Sequence, residues 1–571
     1  MLQCKNISIS FASKALFEDV SFVIQERERC ALVGRNGSGK STLFRVLSGE
    51  LEADSGVISF SRGTSVGYLS QHISFEEDTL LKEGARGLPV GEKDAIYKVE
   101  RALLGLGFSV KDFHEEPGSF SGGFQLRLHL AKALLRQPDF LLLDEPTNYL
   151  DILSIRWLKK VLKDWKGALI IVSHDRDFLD EVSTHTMGFH GGKLRKIGGG
   201  TRNYFEKVLM DEEVHEKTRV KMEKKREHVE KFVKRFGSKA TKAAQAQSKL
   251  KQLAKDPVLE KLNQMASLRF AFSEAPFPGK KMLEATGVSF SYTEKPLVEG
   301  FSLELLKNQR IAVIGKNGRG KSTILKLLSG HLMPQKGNVK KPDNLEVGYF
   351  GQTNIDQLNP KCTVEEEIGF ANSELSVSEV KGIAGLMLFS GDDASKKIEL
   401  LSGGEKSRVL LGKIIAKPCN LLLLDEPTHH LDIESIDALV SAVENFSGSV
   451  IIVTHSEMIL KRIAFDQLIV CEKRSQRVFL GGFDHFMAKV GWEEEKALSE
   501  KKGGGHSYEK RKEKKRQISN LEKRIEKLEE EQKERLRLIE GGDTGLELME
   551  KYGEIEKEID RLYEELNEYY S

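Results

Sequence analysis

The sequence predicts an α/β protein in which one P-loop domain is written twice, with an α-helical hairpin between the copies and an antiparallel coiled coil after the second. Three observations carry this: a repeat of long period, a strand-to-glycine-loop motif in each copy, and helical periodicity outside the copies. Seven elements recur in the same order at a fixed spacing of 281 residues: Phe11 as Tyr292, Lys40 as Lys321, Gln71 as Gln352, Ser121 as Ser402, Glu145 as Glu426, Asp151 as Asp432 and His174 as His455. Solenoid units are far shorter, so a period this long marks tandem domains. A chain of 571 residues has room for about three domains. The repeat occupies two of them.

Each copy opens with a short apolar run, residues 30–33 and 311–314, that feeds directly into G-x-x-x-x-G-K-S at Gly34–Ser41 and Gly315–Ser322. A strand leading into such a loop lets backbone N–H groups curl around a phosphate. Gly34, Asn36, Gly37, Gly39 and Thr42, with Gly315, Asn317, Gly318, Gly320 and Thr323, are the candidate phosphate-loop residues. Lys40 and Lys321 would reach the outer phosphate oxygens, and the hydroxyls of Ser41 and Ser322 would ligate Mg²⁺. Further on come LLLDEPTNYLD, Leu141–Asp151, and LLLLDEPTHHLD, Leu421–Asp432. An apolar strand ending in Asp-Glu supplies one carboxylate for Mg²⁺, Asp144 or Asp425, and a second, Glu145 or Glu426, to orient or deprotonate an attacking water. Between these motifs, Ser121-Gly122-Gly123 and Ser402-Gly403-Gly404 each open a helical run, where free N–H groups and the positive dipole end face an anion.

These residues resemble the ATP-binding cassette superfamily, over residues 1–205 and 281–490. The resemblance implies an α/β core with a smaller helical subdomain, and two cassettes closing head to tail over two ATP molecules. It implies that Ser121, Gly122 and Gly123 face the ATP held by Lys321, and that Ser402, Gly403 and Gly404 face the one held by Lys40. By the same likeness Phe11 and Tyr292 stack on adenine, Gln71 and Gln352 sense Mg²⁺ and the γ-phosphate, and His174 and His455 contact the γ-phosphate. Both partners lie on one chain, so a monomer can form both sites. Three positions depart from the family pattern: Asn148-Tyr149 against His429-His430, SHDR against THSE, and Phe124 where a polar residue is common. None removes a phosphate or Mg²⁺ ligand, so both sites are expected to hydrolyse ATP, at rates that need not be equal.

The net charge of +2 conceals local asymmetry, so partners are read segment by segment. No signal peptide opens the chain, and its apolar runs fall far short of the ~20 residues that span a bilayer. Five scattered cysteines without ligand or pair spacing fit reduced thiols. A soluble, cytoplasmic protein is expected.

Residues 206–280 read as a two-helix linker. Val229, Phe232, Val233 and Phe236 follow helical spacing, and Gly237-Ser238 can turn the chain. Lys231, Lys234, Arg235, Lys239, Lys242, Lys249, Lys251 and Lys255 lie in a stretch, 231–255, without an acidic residue. Such a stretch matches an RNA phosphate backbone. Tandem cassettes with this linker and no membrane span resemble the ABC-F branch. That likeness implies binding to the ribosome in the ATP-closed state, the hairpin reaching rRNA and P-site tRNA, with hydrolysis driving release. The interval from Gln71 to Ser121 equals that from Gln352 to Ser402, which argues against the long arm that some ABC-F factors insert there. Residues 491–516 form a basic, glycine-containing linker. In 517–571, Ile518, Leu521, Ile525 and Leu528, then Leu548 to Tyr569 beyond a glycine break, form the seams of a coiled-coil hairpin. Such a tail makes DNA an alternative partner, with action on branched or damaged DNA as the rival function. Ribosome protection against antibiotics is a second alternative. Changing Lys239 and Lys242 together to Glu is expected to weaken ribosome binding and flatten its salt dependence, with little change in basal ATPase; equal affinity across a salt series would refute the role given to the linker.

Overall fold

The computed structural model describes residues 1–492, apart from 12–13, 35–36, 70–74, 93–94, 149, 191–192, 237–269, 295, 352–357, 390, 429–430 and 473–474, together with 555 and 558. In the first half a six-stranded sheet runs Val66–Tyr68, Phe140–Asp144, Ala168–Val172, Arg29–Val33, His185–His190, Lys193–Gly198. All neighbours are parallel except the last pair. The second half repeats the order and the directions with Val347–Phe350, Leu421–Asp425, Ser449–Val453, Arg310–Gly315, Gln467–Glu472 and Ser475–Leu480. Runs such as LLLLD and SVIIV are apolar at successive residues and buried throughout, as parallel strands covered on both faces must be. Because the strands are parallel, their carboxyl ends share one edge, where ligands of such sheets bind. The glycine loops after Val33 and Ile314, the Asp-Glu pairs and the Ser-His and Thr-His turns all leave from that edge.

A three-stranded antiparallel sheet accompanies each half: Lys14–Ile24, Leu2–Phe11 and Ser55–Phe60, and then Val298–Leu306, Lys281–Phe290 and Lys336–Lys340. The helix Lys40–Ser48 that follows the first glycine loop buries Leu43, Phe44, Val46 and Leu47 in one core with Leu2, Ile7, Leu142 and Ile170, joining both sheets. That packing fixes the loop at the helix N-terminus.

A helical layer completes each half: Leu80–Ala85, Ile96–Gly105 and Gly122–Leu135, and Val364–Gly369, Val377–Leu386 and Gly403–Ala416. One buried ion pair ties this layer together in both copies. The Lys132 ammonium donates to Glu83, whose other oxygen accepts the Glu76 and Glu77 amides at 3.1 and 3.0 Å. Lys413 donates to Glu367 at 2.5 Å.

The helix Thr201–Phe236 begins inside the segment read as the first cassette. Residues 270–280 already pack on the second half: the Cys419 amide donates to the Ser273 carbonyl at 3.0 Å, the Ala275 amide to the Cys419 carbonyl at 2.9 Å, and the Ser447 amide to Glu274 at 2.9 Å. Gly237-Ser238, the return arm of the expected hairpin and the coiled-coil seams apart from Ile555, which is helical and buried, lie outside the described residues. The two halves meet directly, with Ile433 of the second packed into the helical core of the first.

Burial alone would raise the Glu83 carboxyl's pKa, but Lys132 and the two amides bring it below its ordinary value. The pair's contribution to stability is therefore complete above the unfolded carboxyl's pKa, about 4.3, and is lost as pH falls through the lower folded value. Lys132→Met leaves a buried carboxylate without its cation and is expected to destabilise the protein by about 3 kcal/mol in chemical denaturation. Adding Glu83→Gln should recover most of that loss.

Candidate active site

The glycine loops are shaped by backbone geometry that only glycine adopts cheaply. Gly39 and Gly320, the N-caps of the helices carrying the lysines, have φ of 94° and 85°, in the left-handed region where a Cβ is penalised. Gly315 has φ 143°, and a Cβ there would sit 2.3 Å from the Cys471 carbonyl oxygen. Gly34, Gly37 and Gly318 also have positive φ.

Lys40 and Lys321 are buried. The Lys40 ammonium donates to the Gly34 carbonyl at 2.6 Å; that of Lys321 donates to the carbonyls of Gly315 and Lys316 and to Asn317 Oδ1 at 3.0–3.1 Å. Burial lowers both lysine pKa values and surrounding carboxylates oppose it, with Glu145 foremost at Lys40 and Glu426 at Lys321. Part of that compensation crosses between the halves: Asp432 and Glu434 act on Lys40, and Asp151 acts on Lys321.

The Ser322 hydroxyl donates to Asp425 at 3.0 Å, and Ser41 hydrogen-bonds Asp144 in the same way. Asp144 Oδ2 is buried with no protein partner. Burial raises the pKa of both aspartates, opposed by these hydroxyls and the nearby lysines. No group of three or more His, Cys, Asp or Glu side chains that could hold a metal occurs among the described residues. One hydroxyl and one carboxylate suit Mg²⁺, which takes few protein ligands and completes its octahedron with phosphate and water. The donors present therefore fit that ion.

Glu145 and Glu426 follow directly, at φ 50° and 47°. Non-glycine residues in that region cost about 1–3 kcal/mol and gather at functional sites. The turn is pinned by the glutamate amides, which donate to the Val172 and Val453 carbonyls at 2.9 and 3.0 Å. His174 Nε2 and His455 Nε2 lie 3.2 Å from the carboxylates of Glu145 and Glu426, and His455 Nε2 is also 2.9 Å from Asn317 Oδ1. Burial pushes both glutamates up to about 8, with the adjacent aspartates adding to the rise and the lysines opposing it. Burial, then Lys40, pulls His174 down to about 4. Both Glu-His pairs line one narrow cleft between the halves.

Ser121, Gly123, Phe124, Arg127 and Leu150 of the first half line the same cavity, of about 450 Å³, as Asn317, Gly318, Gly320, Lys321, Ser322, Thr323, Asp425, Glu426 and His455 of the second. The head-to-tail arrangement expected at Lys321 is thus present. The two serines differ. Ser402 caps its helix reciprocally with Glu405, its hydroxyl donating to the carboxylate at 2.7 Å. Phe124 stands at the corresponding position in the first half, and Ser121 makes no capping hydrogen bond. Gly122, Gly403 and Gly404 open the same two helices, and Thr42 lies on the first glycine-loop helix. Phe11 and Tyr292 are 51% and 62% exposed, outside the core where a purely structural aromatic would sit.

Gln71, Gln352, Asn36, Lys239, Lys242 and Lys249 lie outside the described residues. Lys231 is exposed on the helix Thr201–Phe236 and pairs with Glu227 at 3.2 Å; Lys234 and Arg235 belong to the same helix. Sequence reasoning missed Arg127, which is 2% exposed. Its guanidinium donates to the Leu106 carbonyl at 3.0 Å and lies 3.8 Å from Asp151. The available signal was its recurrence as Arg408, which acts on Asp432.

A family model described as "ABC transporter" matches residues 17–148 and again 298–429, and a second model with the same description matches 187–270. The probable ATP-binding protein YbiT of Escherichia coli O157:H7 is 35% identical over 536 residues, 86% of this chain and all of that protein. ATP-binding cassette sub-family F member 3 of Rattus norvegicus is 34% identical over 527 residues, 85% of this chain and 73% of that protein. In a crystal structure of archaeal ribosome recycling factor aABCE1 with the ribosomal stalk protein aP1, the match has a TM-score of 0.59 at 20% identity, over 85% of this chain and 92% of that one. No helix among the described residues is long and apolar enough to cross a membrane.

With Lys40→Ala, ATP trapping should depend on the Lys321 cavity alone. Adding Ser121→Arg is then expected to abolish the remaining occlusion of nucleotide, and adding Ser402→Arg to leave it. The reverse pattern, loss of occlusion with Ser402→Arg and retention with Ser121→Arg, would mean that each half closes on its own ATP.

Proposed function

This chain belongs to the ABC-F branch of the ATP-binding cassette ATPases, and from that premise we propose that it binds the ribosome in its ATP-closed state and modulates translation through the segment between its halves, hydrolysis driving release. The observation that carries the reading is the cavity around Lys321, walled by Ser121 and Gly123 of the opposite half. ATP bound there touches both halves, so its γ-phosphate stabilises the closed arrangement, and any surface complementary only to that arrangement gains affinity with it.

Ser41 with Asp144, and Ser322 with Asp425, would hold Mg²⁺, which when bound supplies positive charge to the phosphate oxygens. Lys40 and Lys321 neutralise the phosphates directly, and the glycine-loop amides position them. Glu145 and Glu426 orient the attacking water and accept its proton. Burial and the adjacent aspartates raise both carboxyls above the ordinary carboxylate range, which makes each carboxylate a stronger base for that proton. His174 stays neutral in its buried setting, and both histidines position the glutamate and the terminal phosphate. The arrangement recurs in both halves, so both sites turn over, the uncommitted Ser121 and the capped Ser402 setting different rates.

Support for the ribosome as partner comes from the ABC-F relatives and from the fold shared with a ribosome recycling factor. The basic stretch 231–255 supports rRNA and tRNA as its contacts, and a cytoplasmic location follows from that partner. The double variant Glu145→Gln, Glu426→Gln is expected to lower ATPase activity by about 10²-fold or more and to co-sediment with ribosomes only when ATP is present. ATP-dependent capture of branched DNA, with no capture of ribosomes, would overturn the reading and move the function to DNA.

A further inference from the structure

The 281-residue repeat matches each position of the first half with one of the second, and four charged positions at or beside the interface carry opposite signs in the two copies: Arg156 against Asp437, Lys163 against Glu444, Arg176 against Glu457, and Glu181 against Arg462. Two ion pairs built from them cross between the halves. Arg156 Nε lies 2.5 Å from Glu457 Oε1, and Arg176 Nη1 lies 2.7 Å from Asp437 Oδ2. Arg156 and Asp437 are equivalent positions, as are Arg176 and Glu457. The two bridges are therefore one contact seen twice about the pseudo-two-fold axis, and in each the first half supplies the cation.

The inversion extends to the support behind each bridge. Lys163 pairs with Glu181 at 2.7 Å within the first half; Glu444 pairs with Arg462 at 3.2 Å within the second, with the signs exchanged. Arg462 also reaches Asp437 at 3.2 Å, and Lys461 reaches Glu457 at 3.2 Å. The first bridge is the more sheltered, with Glu457 10% exposed and Arg156 23%, against 30% for Arg176 and 32% for Asp437 in the second. The guanidinium of Arg156 lies 5.9 Å from the centre of the Phe483 ring, and that of Arg176 lies 5.0 Å from Phe205. Burial would raise the Glu457 pKa, yet Arg156 and its neighbours hold it below the ordinary carboxylate value.

If two first halves met by the same geometry, Arg156 would face Arg176 twice. If two second halves met, Asp437 would face Glu457 twice. Like charges in a sheltered interface oppose association strongly, and specificity is commonly built from such repulsion as well as from attraction. We propose that these sign-inverted positions are the recognition code by which the first half accepts only a second half, so that ATP closes one chain on itself and does not pair like halves of two chains. Attachment to one chain then favours the intramolecular partner, at an effective concentration on the order of mM.

The test uses three variants of the full chain: Arg156→Glu with Arg176→Glu, which leaves both halves acidic; Asp437→Arg with Glu457→Arg, which leaves both basic; and all four changes together, which exchanges the signs. Each double variant is expected to lose about ten-fold or more in ATPase activity while keeping the parental circular dichroism. The quadruple variant should return to within about three-fold of the parent and remain monomeric by light scattering. An equimolar mixture of the two doubles should regain activity with rising concentration and double its mass. A folded quadruple variant as slow as the doubles, doubles as active as the parent, or a mixture no more active than its components would each overturn the proposal. None of these readouts involves ribosomes, so the outcome is separate from that of the translation reading.

Discussion

Lys40 and Lys321 are cations held out of water, and a buried cation persists only where carboxylates surround it. In this molecule the carboxylates come from both halves: the Asp-Glu pair behind each lysine, and the Asp that opens the corresponding helix on the other side. Asp151 and Asp432 can serve because each is fixed as the N-cap of its helix, accepting the Ser154 and Ser435 amides at 3.0 and 2.9 Å. Arg127 and Arg408 sit behind them on the helices that begin at the Ser-Gly-Gly motifs. The cavity for one nucleotide, the position of the opposite Ser-Gly-Gly and the packing of the halves are thus parts of one electrostatic arrangement.

The catalytic turns follow a related logic. A glutamate at positive φ is strained, and the strain is tolerated because the flanking strand ends hold its amide and its neighbours are packed. That conformation places the carboxylate 3.2 Å from its histidine, so two acidic groups in sequence acquire different partners. Aspartate meets a hydroxyl; glutamate meets an imidazole.

Because the two copies share motif order, spacing and sheet topology, their differences are informative. Phe124 in place of Glu405 removes a capping carboxylate and joins Phe108 and Phe120 in an aromatic cluster, changing how one signature serine is held. The four charged positions of the two bridges and their supports invert, while the phosphate loops, the Asp-Glu pairs and the histidines do not. Chemistry common to both sites tolerates no such divergence; mutual recognition of unlike halves requires it.

Short-range features were legible in the sequence because each is set locally. The glycine loops need positive φ, the parallel strands need unbroken apolar runs, and the 281-residue spacing marks the duplication whatever the fold. The opposed halves were expected only from family resemblance, and Arg127, the paired Glu83 and Lys132, and the cross-interface bridges were not foreseen. Every one of these joins residues far apart in the chain, where neither periodicity nor spacing carries information about contact. By itself the sequence determined that there are two ATP-binding cassette halves and where the glycine loop of each lies. Only the tertiary structure decided that the wall of the Lys321 cavity belongs to the other half and that the strained glutamates meet their histidines. The reason is physical: a side chain's neighbours across an interface, and the dielectric in which they act, exist only once both surfaces are brought together.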